Sequence, residues 1–360
     1  MTKECIILLC DETELNRERK GYYNAFSKIM PVFCIPPETI NIDKIISLKS
    51  AEGLKPLIAL HPEGSYTLPQ NIENFQVPTA CFQIDTYNAP LSRLKWSKLF
   101  DYVFVFHPKF DELFREHGHP KSICLPHAVE ADIFQNLKES RIYDIGWVGS
   151  LVGRIYSLRR KYIQSLSQKY KMNDIDRYYQ PSEMANIYMQ SKIVVNISRD
   201  DYPQDANLRC FEVMASGALL ITTKPTELEY FGFIEGDHYI TFKSRNELHN
   251  KLDFYIQNEP ERERISSNAR LLVLDKHTYD QRAQTIVNVL NRDQGSLFAP
   301  ARRWQKLDIS KVYYDYYVKH LKLDPAIHTL NRIREISIFE YIKLLPILMK
   351  AFIRSIQTFK

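Results

Sequence analysis

The sequence predicts an α/β protein made of two doubly wound domains, each a mostly parallel sheet covered by helices. Short apolar or β-branched runs alternate along the chain with longer segments of helical periodicity. The apolar runs are unbroken, which is typical of strands buried on both faces, as in a parallel sheet. The chain has 360 residues, more than one hydrophobic core ordinarily holds, and this length favours two domains.

The composition is that of a globular protein, with 44% hydrophobic and 25% charged residues. The six cysteines form no C-x-x-C pair, so neither a zinc site nor a disulfide framework is indicated. The first residues lead directly into an apolar run without a basic leader, and no uncharged run approaches the roughly 18 residues of a membrane span. We therefore expect a cytoplasmic protein.

The first part of the chain contains four predicted strands and one early helix. The strands are Cys5–Cys10, Leu57–Leu60, Thr79–Ile84 and Tyr102–Phe106, and the helix is Arg17–Met30. Polar residues follow three of these strands directly: His61, Asp85 and His107. The carboxyl ends of parallel strands line the binding crevice of an open sheet, so Asp85 and His61 are candidate catalytic groups facing an acceptor hydroxyl. Polar residues at strand ends can also serve only the loop backbone.

A second strand-and-helix series begins with a predicted strand at Tyr143–Val148. Its loop, Gly149 to Arg154, precedes a helix predicted from about Tyr156 to Tyr170. Small residues such as Gly149 and Ser150 let the backbone approach a phosphate, and Arg154 could neutralise it. Within the helix, the sequence predicts a solvated basic face formed by Arg159, Arg160 and Lys161. Further on, Ser182 is predicted to cap a helix that follows the loop Asp176–Gln180.

The stretch from Asn196 to Thr223 carries the most chemical information. Ile193–Ile197 is predicted as a strand, Phe211–Ala215 as a short helix and Leu219–Thr222 as the next strand, which together form a βαβ unit. Arg209 offers a fork of donors for phosphate oxygens, and the helix start attracts the same anion. Glu212 could accept hydrogen bonds from ribose hydroxyls. In the alternative interpretation, Glu212 favours the helix dipole and Arg209 pairs with Asp205 or Asp201.

This stretch resembles the donor-binding segment of GT-B glycosyltransferases of the family 4 type, the glycosyl transferases of group 1. The pattern N-x-R-x-F-E-x-x-A-x-G is closest to the CgeB-like group; it is carried by Asn207, Arg209, Phe211, Glu212, Ala215 and Gly217. The family usually has two glutamates eight residues apart, the second of which binds the ribose. Glu212 matches the second, whereas Gln204 stands in place of the first. The resemblance extends over about residues 100–290 and includes His277-Thr278-Tyr279 with Arg282.

The resemblance implies a GT-B fold, in which two Rossmann-like domains face a cleft. We place an acceptor domain at residues 1–136, a donor domain at 137–290, a crossover helical segment at 291–330 and a basic amphipathic helix at 331–360. Tyr179 is expected near the base and Glu212 on the ribose. The residues expected to bind the donor are Gly149, Ser150, Arg154, Tyr179, Asn207, Arg209 and Glu212.

The implied function is transfer of a sugar, hexosyl in type, from a nucleotide-diphosphate donor to a hydroxyl group of a glycan, a lipid-linked acceptor or a protein. This would serve the synthesis of surface glycans or glycoconjugates. The sequence has no D-x-D motif, so we expect transfer without a metal or a further cofactor. The family resemblance favours retention at the anomeric centre, whereas an Asp85 base would favour inversion. Two alternatives stay open: a nucleotide-sugar epimerase of GT-B fold and a non-catalytic binding protein.

The C-terminal segment is basic. Residues 291–360 contain 13 Lys and Arg against 6 Asp and Glu, while the rest of the chain is slightly acidic. Because a nucleic-acid groove would place charge among the folded domains, no nucleic-acid partner is expected. Ile336–Phe359 is predicted as an apolar helix kinked near Pro346 and edged by polar side chains: Glu340, Lys343, Lys350 and Arg354. It either packs on the body or a partner, or lies in an anionic membrane surface. The tyrosines of a helix at Trp304–Leu321 are predicted to be packing residues.

Overall fold

A computed structural model describes residues 3–38, 52–63, 67–137, 140–224 and 226–358. The chain divides into two compact units. Unit 1 consists of residues 1–125 and 286–360, and unit 2 consists of residues 126–285. The domain boundaries predicted near residues 136 and 290 lie a short way beyond these divisions, and the predicted crossover segment belongs to unit 1.

Unit 1 contains a parallel sheet with strands β1 (Lys3–Leu8), β2 (Val32–Cys34), β3 (Leu54–His61), β4 (Thr79–Gln83), β5 (Tyr102–Val105) and β6 (Ser122–Cys124). In the described residues its order is β2-β1-β3-β4-β5-β6, and every pairing is parallel. The order reverses between β1 and β3, which is the topological switch point of a doubly wound sheet. The short edge strands β2 and β6 were not predicted.

Within the described part of residues 1–125, the α-helices beside this sheet are α1 (Arg17–Ser27), α2 (Pro90–Ser97) and α3 (Pro108–Glu116). Both α2 and α3 carry proline in their first turn, where a missing N–H costs nothing. The face of α1 that packs inward includes Tyr22 and Phe26, and Tyr22 contacts Phe82 on β4 with ring centroids 4.6 Å apart. The predicted helix Arg17–Met30 ends three residues early.

Unit 2 contains the strands β7 (Tyr143–Gly146), β8 (Ser191–Asn196), β9 (Leu219–Thr223) and β10 (Ile240–Phe242). They are parallel and lie in the order β10-β9-β8-β7, with Met172 bridged to Ile145 of β7. The helices are α4 (Ser157–Ser167), α5 (Pro181–Met189), α6 (Leu208–Ala215), α7 (Arg245–Gln257), α8 (Glu259–Lys276) and α9 (Tyr279–Asp293), the last crossing from unit 2 into unit 1. Two parallel α/β units confirm the predicted fold class.

The chain returns to unit 1 through a buried carboxylate. Asp101 lies in front of β5, is fully buried, and accepts hydrogen bonds from the backbone N–H groups of Phe298 and Ala299 at 2.7 and 2.8 Å. Its other oxygen accepts from the Thr79 N–H at 2.8 Å, and Arg302 pairs with the same carboxylate. One buried anion therefore joins the start of two strands to the returning segment.

Three helices complete unit 1: α10 (Lys306–Lys319), α11 (Leu323–Ile336) and α12 (Ile338–Thr358). The tyrosines of α10 are packing residues, as predicted. Tyr313 donates to the Pro69 carbonyl at 2.8 Å, Tyr317 donates to the Leu68 carbonyl at 3.0 Å, and Tyr314 donates to the Leu344 carbonyl at 2.7 Å. These bonds attach α10 to the body and α12 to α10.

The helix predicted at Ile336–Phe359 begins two residues later, because Ser337 is extended and separates α11 from α12. Pro346 lies inside α12. Tyr341, Leu344 and Leu348 pack on a small core formed with α10 and α11. Among the described residues, no helix combines the length and apolarity that crossing a membrane requires.

Candidate functional site

The candidate site of unit 2 lies where the strand order of its sheet reverses. β8 lies on one side of β7. Met172, which precedes β8 in the sequence, is also bridged to β7, at Ile145, so the chain crosses β7 between residue 172 and β8. The loops that leave β7 and β8 start at Trp147 and Ile197. Loops at such a point form the ligand crevice of an open parallel sheet.

Arg209 lies at the centre of these loops. Its Nη1 donates to Oδ1 of Asn196, the last residue of β8, at 2.7 Å. Its guanidinium carbon lies 4.8 Å from the centre of the Trp147 ring. Its Nε is buried and has no hydrogen-bond partner among the described residues. Arg209 is thus held by an amide oxygen and an aromatic face, neither of which neutralises its charge.

Asn196 also fixes the neighbouring side chain, because its Oδ1 accepts from Asn207 Nδ2 at 3.2 Å. Its own Nδ2 donates to Thr222 Oγ1 on β9 at 2.9 Å. The predicted site residues Asn207 and Arg209 therefore meet on one buried amide. Asn196 was not among the predicted site residues, although the first polar residue at the end of an apolar run is the signal that would have found it.

Arg159 is a second cation at this position, and here the prediction of a solvated basic face was wrong. Arg159 is only 5% exposed, and its Nε and Nη1 donate to the carbonyls of Ile197 and Ser150 at 2.8 and 3.2 Å. Its guanidinium lies over Tyr156 and against Trp147. Burial, and next the charge of Arg209, lower the pKa of Arg159 to about 10. The guanidinium groups of Arg159 and Arg209 thus lie close together against the Trp147 ring.

Gly149 lies against Arg209. A Cβ built on Gly149 would fall 2.3 Å from Arg209 Nη2, so any side chain there must displace the guanidinium. Ser150 is exposed and contributes its carbonyl to Arg159. Arg154 is exposed and begins a short 3-10 helix ahead of α4. Gly149 and Ser150 therefore accompany the two arginines, and Arg154 lies on the surface of the same loop.

The acidic side chains of the β8 loop have other partners. Asp201 accepts from Arg199 at 2.9 and 2.8 Å, and Asp200 accepts from Ser157 at the start of α4 at 2.8 Å. In the described residues Asp201 thus pairs with Arg199, while Arg209 donates to Asn196, which differs from the alternative pairing of Arg209 with Asp201. Asp205 is buried, and its charge raises the pKa of Arg159 against the effects of burial and Arg209.

Helix α6 begins at Leu208, three residues before the predicted start at Phe211. Asn207 occupies the N-cap position with an extended backbone, and the Cys210 N–H donates to its carbonyl at 2.9 Å. Arg209 is therefore in the first turn, near the positive end of the helix dipole. Glu212 is in the second turn and is 3% exposed. A ribose contact by Glu212 stays a prediction.

Tyr179 is buried at 7% exposure within the core of unit 2, and its hydroxyl donates to the Asp174 carbonyl at 2.8 Å. Arg177 lies 5.1 Å from its ring centre. Its predicted contact with a base is untested. The prediction that Ser182 caps α5 was wrong: Gln180 is the N-cap and forms a capping box with Glu183, because the proline at 181 already occupies the first turn.

In unit 1, His61 ends β3 as a packing residue. It is 1% exposed, lies 5.5 Å from the Phe100 ring centre, and its Nε2 is 3.0 Å from the Thr67 carbonyl. Burial lowers the pKa of His61 to about 4, so the ring is neutral at pH 7. A catalytic role for His61 stays a prediction, but the described residues hold its imidazole away from solvent.

Asp85 is exposed after β4 and accepts from the Tyr87 hydroxyl at 2.7 Å. A second carboxylate near it was missed by sequence reasoning. Glu63, just after β3, accepts from Arg93 at 2.8 Å and from the Ile84 N–H at 3.2 Å. Burial raises the pKa of Glu63 even though Arg93 opposes the shift. The available signal was the position of Glu63 just after β3. The strand order reverses between β1 and β3, which places the end of β3 at the crevice.

The residues His277 and Arg282 have structural roles. Arg282 donates to the carbonyls of Pro126 and His127 at 2.9 and 3.0 Å, and to Nδ1 of His277 at 2.7 Å. The Val129 N–H donates to the His277 carbonyl at 3.0 Å. These hydrogen bonds therefore attach the last helix of unit 2 to the first residues of that unit.

Residues 132–288 match a protein family described as glycosyl transferase-like. The structure resembles sucrose-phosphate synthase from Thermosynechococcus elongatus, with a TM-score of 0.55 and 12% identity over 81% of this chain and 99% of that chain. It also resembles HepE from Anabaena in complex with UDP and glucose, with a TM-score of 0.51 and 11% identity over 81% and 100% of the two chains. No curated protein sequence matches. At such identities the structural likeness shows the fold.

Proposed function

The protein has the GT-B fold and contains a glycosyl transferase-like segment, and we propose that it moves a sugar from a nucleotide-diphosphate donor to a hydroxyl acceptor. The observation that carries this proposal is the pair of arginines at the switch point of unit 2. Among the described residues, Arg209 donates to the amide oxygen of Asn196, Arg159 donates to the carbonyls of Ile197 and Ser150, and both guanidinium groups lie against the Trp147 ring. The buried carboxylate of Asp205 offsets part of this positive charge, and the remainder favours an anion such as a diphosphate.

The chemistry needs such a group because the leaving nucleotide diphosphate gains negative charge as its bond to the sugar breaks. Arg209 and Arg159 would stabilise that charge, and the N-terminus of α6 would add its partial positive charge. Gly149 and Ser150 would let the backbone approach the phosphates, with Arg154 at their edge, while Asn207 orients the site through Asn196. We propose that these groups suffice without a metal.

Glu212 and Tyr179 complete the proposed donor site, with Glu212 on the ribose hydroxyls and Tyr179 near the base. The HepE structure holds UDP and glucose, which makes UDP-glucose the first donor to test and supports a hexosyl donor. On the acceptor side, Asp85 and His61 remain candidates, and Glu63 joins them. The raised pKa of Glu63 lets this carboxyl group exchange a proton nearer neutral pH.

The deciding experiment incubates the protein with UDP-, GDP- and other activated sugars, in the presence of EDTA and with glycan, lipid-linked and peptide acceptors. Nucleotide release that rises with an acceptor supports transfer. Release of an isomerised donor would instead identify an epimerase. Absence of nucleotide binding would indicate a non-catalytic protein.

The site itself is tested by replacing Arg209 or Glu212 with alanine. Each change should weaken UDP binding by about 1–3 kcal/mol if these side chains bond phosphate and ribose. Arg264 is a suitable control, because this surface arginine of unit 2 pairs with Glu261 and Asp237. Isothermal titration that gives wild-type affinity for both site variants would end the assignment.

We also propose that helix α12 attaches the protein to a membrane surface. Many of its large apolar side chains are exposed, among them Phe339 at 63%, Met349 at 61% and Phe352 at 54%. Such a helix lies in the interface without crossing it, with its cations at headgroup level. Replacing Phe339, Met349 and Phe352 together with serine should reduce sedimentation with vesicles and leave UDP binding unchanged.

A further inference from the structure

A groove of about 730 Å³ lies within unit 1, between α2, α10 and α12. Its walls are largely apolar. Trp96 and Leu91 come from α2, Tyr316 comes from α10, and Ile347 and Ala351 come from α12. The groove therefore offers an apolar cleft on the same helix that carries the exposed apolar face.

The groove is also basic. Four of its lining side chains are cations, Lys95, Lys319, Lys350 and Arg354, against the single carboxylate of Asp315. Asp315 is already paired with Lys95, so the groove keeps a surplus of positive charge. Lys95, Lys319 and Lys350 are exposed, so an anion can reach their ammonium groups from solvent.

The groove and the exposed face occupy adjacent stripes of α12. Ile347, Lys350, Ala351 and Arg354 recur at helical spacing and line the groove. On the outward side, steps of three, seven and four residues give an apolar stripe whose members are between 55% and 63% exposed: Phe339, Ile342, Met349 and Ile353. Lys350 lies between this stripe and the rest of the groove, so the cationic cleft adjoins the apolar surface in the second half of the helix.

We infer that this groove binds the headgroup phosphate of an anionic phospholipid while the outward stripe of α12 lies among the acyl chains. The inference deepens the proposed membrane association and is independent of glycosyl transfer. Charge complementarity carries it, because a negatively charged headgroup meets Lys319, Lys350 and Arg354 at the depth where the helix meets the lipid. A second copy of the chain on the same stripe would instead bring like charges of the two α12 helices together.

The test uses the full chain and vesicles of phosphatidylcholine with or without phosphatidylglycerol. The double variant K319E/K350E reverses two cations of the groove. Its matched control, K161E/K171E, makes the same change of net charge at exposed positions of unit 2. We expect the groove variant to lose about tenfold or more of its affinity for the anionic vesicles, since each cation near the surface contributes to binding. The control should lose far less.

Equal losses in the two variants would show a general charge effect and overturn the groove assignment, with membrane association left intact. Vesicle binding absent from the wild-type protein would overturn both, and dimerisation through α12 measured by light scattering would identify a second copy as the occupant. Complete displacement from vesicles by glycerol phosphate would show a site for free phosphate in place of lipid. Retained thermal unfolding and UDP binding in K319E/K350E keep folding and donor binding separate from the result.

Discussion

Gly149 illustrates how much depends on a single hydrogen atom. Alanine at this position would place a methyl group 2.3 Å from Arg209 Nη2, and the guanidinium can move away only by leaving Asn196 and the Trp147 ring. We expect Gly149→Ala to weaken UDP binding by about 1–2 kcal/mol with a small change in melting temperature, because the displaced group ends a flexible side chain.

Gly153→Ala is its control. Gly153 also has a positive φ, of 108°, but its Cβ would meet only Tyr156 at an ordinary 3.8 Å. Gly149 has a φ of 156°, nearer to extended backbone, so the control carries at least as much backbone strain, whereas the contact with Arg209 belongs to Gly149→Ala alone. Titration calorimetry with UDP that shows the same loss in both would mean that Arg209 does not set nucleotide affinity.

Three buried histidines predict a loss of stability in mild acid. Burial lowers the pKa of His61 to about 4, of His119 to about 4 and of His277 to about 3. The unfolded chain binds these protons below the ordinary value of 6.5, while the folded protein resists them. Stability is therefore complete above pH 6.5 and falls as the pH decreases towards 4, with His277 extending the loss to about pH 3.

The slope should approach about 1.4 kcal/mol per pH unit for each group in the middle of this range. Urea unfolding at several pH values between neutrality and pH 5 measures it. His119→Gln keeps a side chain able to donate to the Ser97 carbonyl, which His119 Nε2 contacts at 3.2 Å, and should reduce the slope in unit 1. A stability that is constant over this range would contradict the assignment.

At this scale the sequence predicted part of the candidate site. Arg209 and Asn207 were proposed because they lie between a strand and an apolar helix; the structure joins both to Asn196, and their binding of a donor stays a prediction. Arg159 could not be recognised, because three consecutive basic residues on a helix usually face solvent. The structure shows why Arg159 is buried: its side chain donates to the Ile197 carbonyl at the start of the loop after β8.

Among the elements, the segment that returns to unit 1 depends on Asp101. Replacing Asp101 with asparagine puts an amide N–H against donors from Thr79, Phe298, Ala299 or Arg302, all of which now meet a carboxylate oxygen. We expect a loss of about 3–5 kcal/mol in the stability of unit 1, as for a buried charge pair that loses one partner. Asp308→Asn, at an exposed position of α10, is the control.

Hydrogen exchange provides the sharper measurement. The amides of Phe298 and Ala299 should lose protection in Asp101→Asn because their acceptor is lost, while amides of β8 and β9 in unit 2 keep theirs. If protection at these two amides survives the substitution, Asp101 does not hold the returning segment.

The elements with long apolar or periodic patterns were predicted well. β1, β3, β5, β8 and α12 fall within a few residues of their predicted bounds. The short edge strands β2, β6 and β10 were missed, because three residues carry too little pattern to separate a strand from a loop. The start of α6 was placed late, since Leu208 and Arg209 look like loop residues until Asn207 is known to be the N-cap.

For the whole molecule, the residues proposed to bind the donor all lie in unit 2, which is one continuous stretch of chain. A fragment of residues 126–285 should therefore fold with a cooperative transition and bind UDP, because it retains the arginine pair and the closure by Arg282 on Pro126 and His127. The fragment should not transfer sugar. Calorimetry and titration check the expectation, and a fragment that folds but does not bind UDP would place part of the donor site in unit 1.

The discontinuity of unit 1 sets an order of events during synthesis. Residues 1–125 emerge from the ribosome first, but the carboxylate of Asp101 and the carbonyls of Leu68 and Pro69 find their partners only when residues beyond 286 have been made. Unit 2 has all its own residues earlier. The second half of the chain can therefore reach its native state before the first, and the nascent N-terminal sheet must stay competent, without aggregating, while it waits for its last helices.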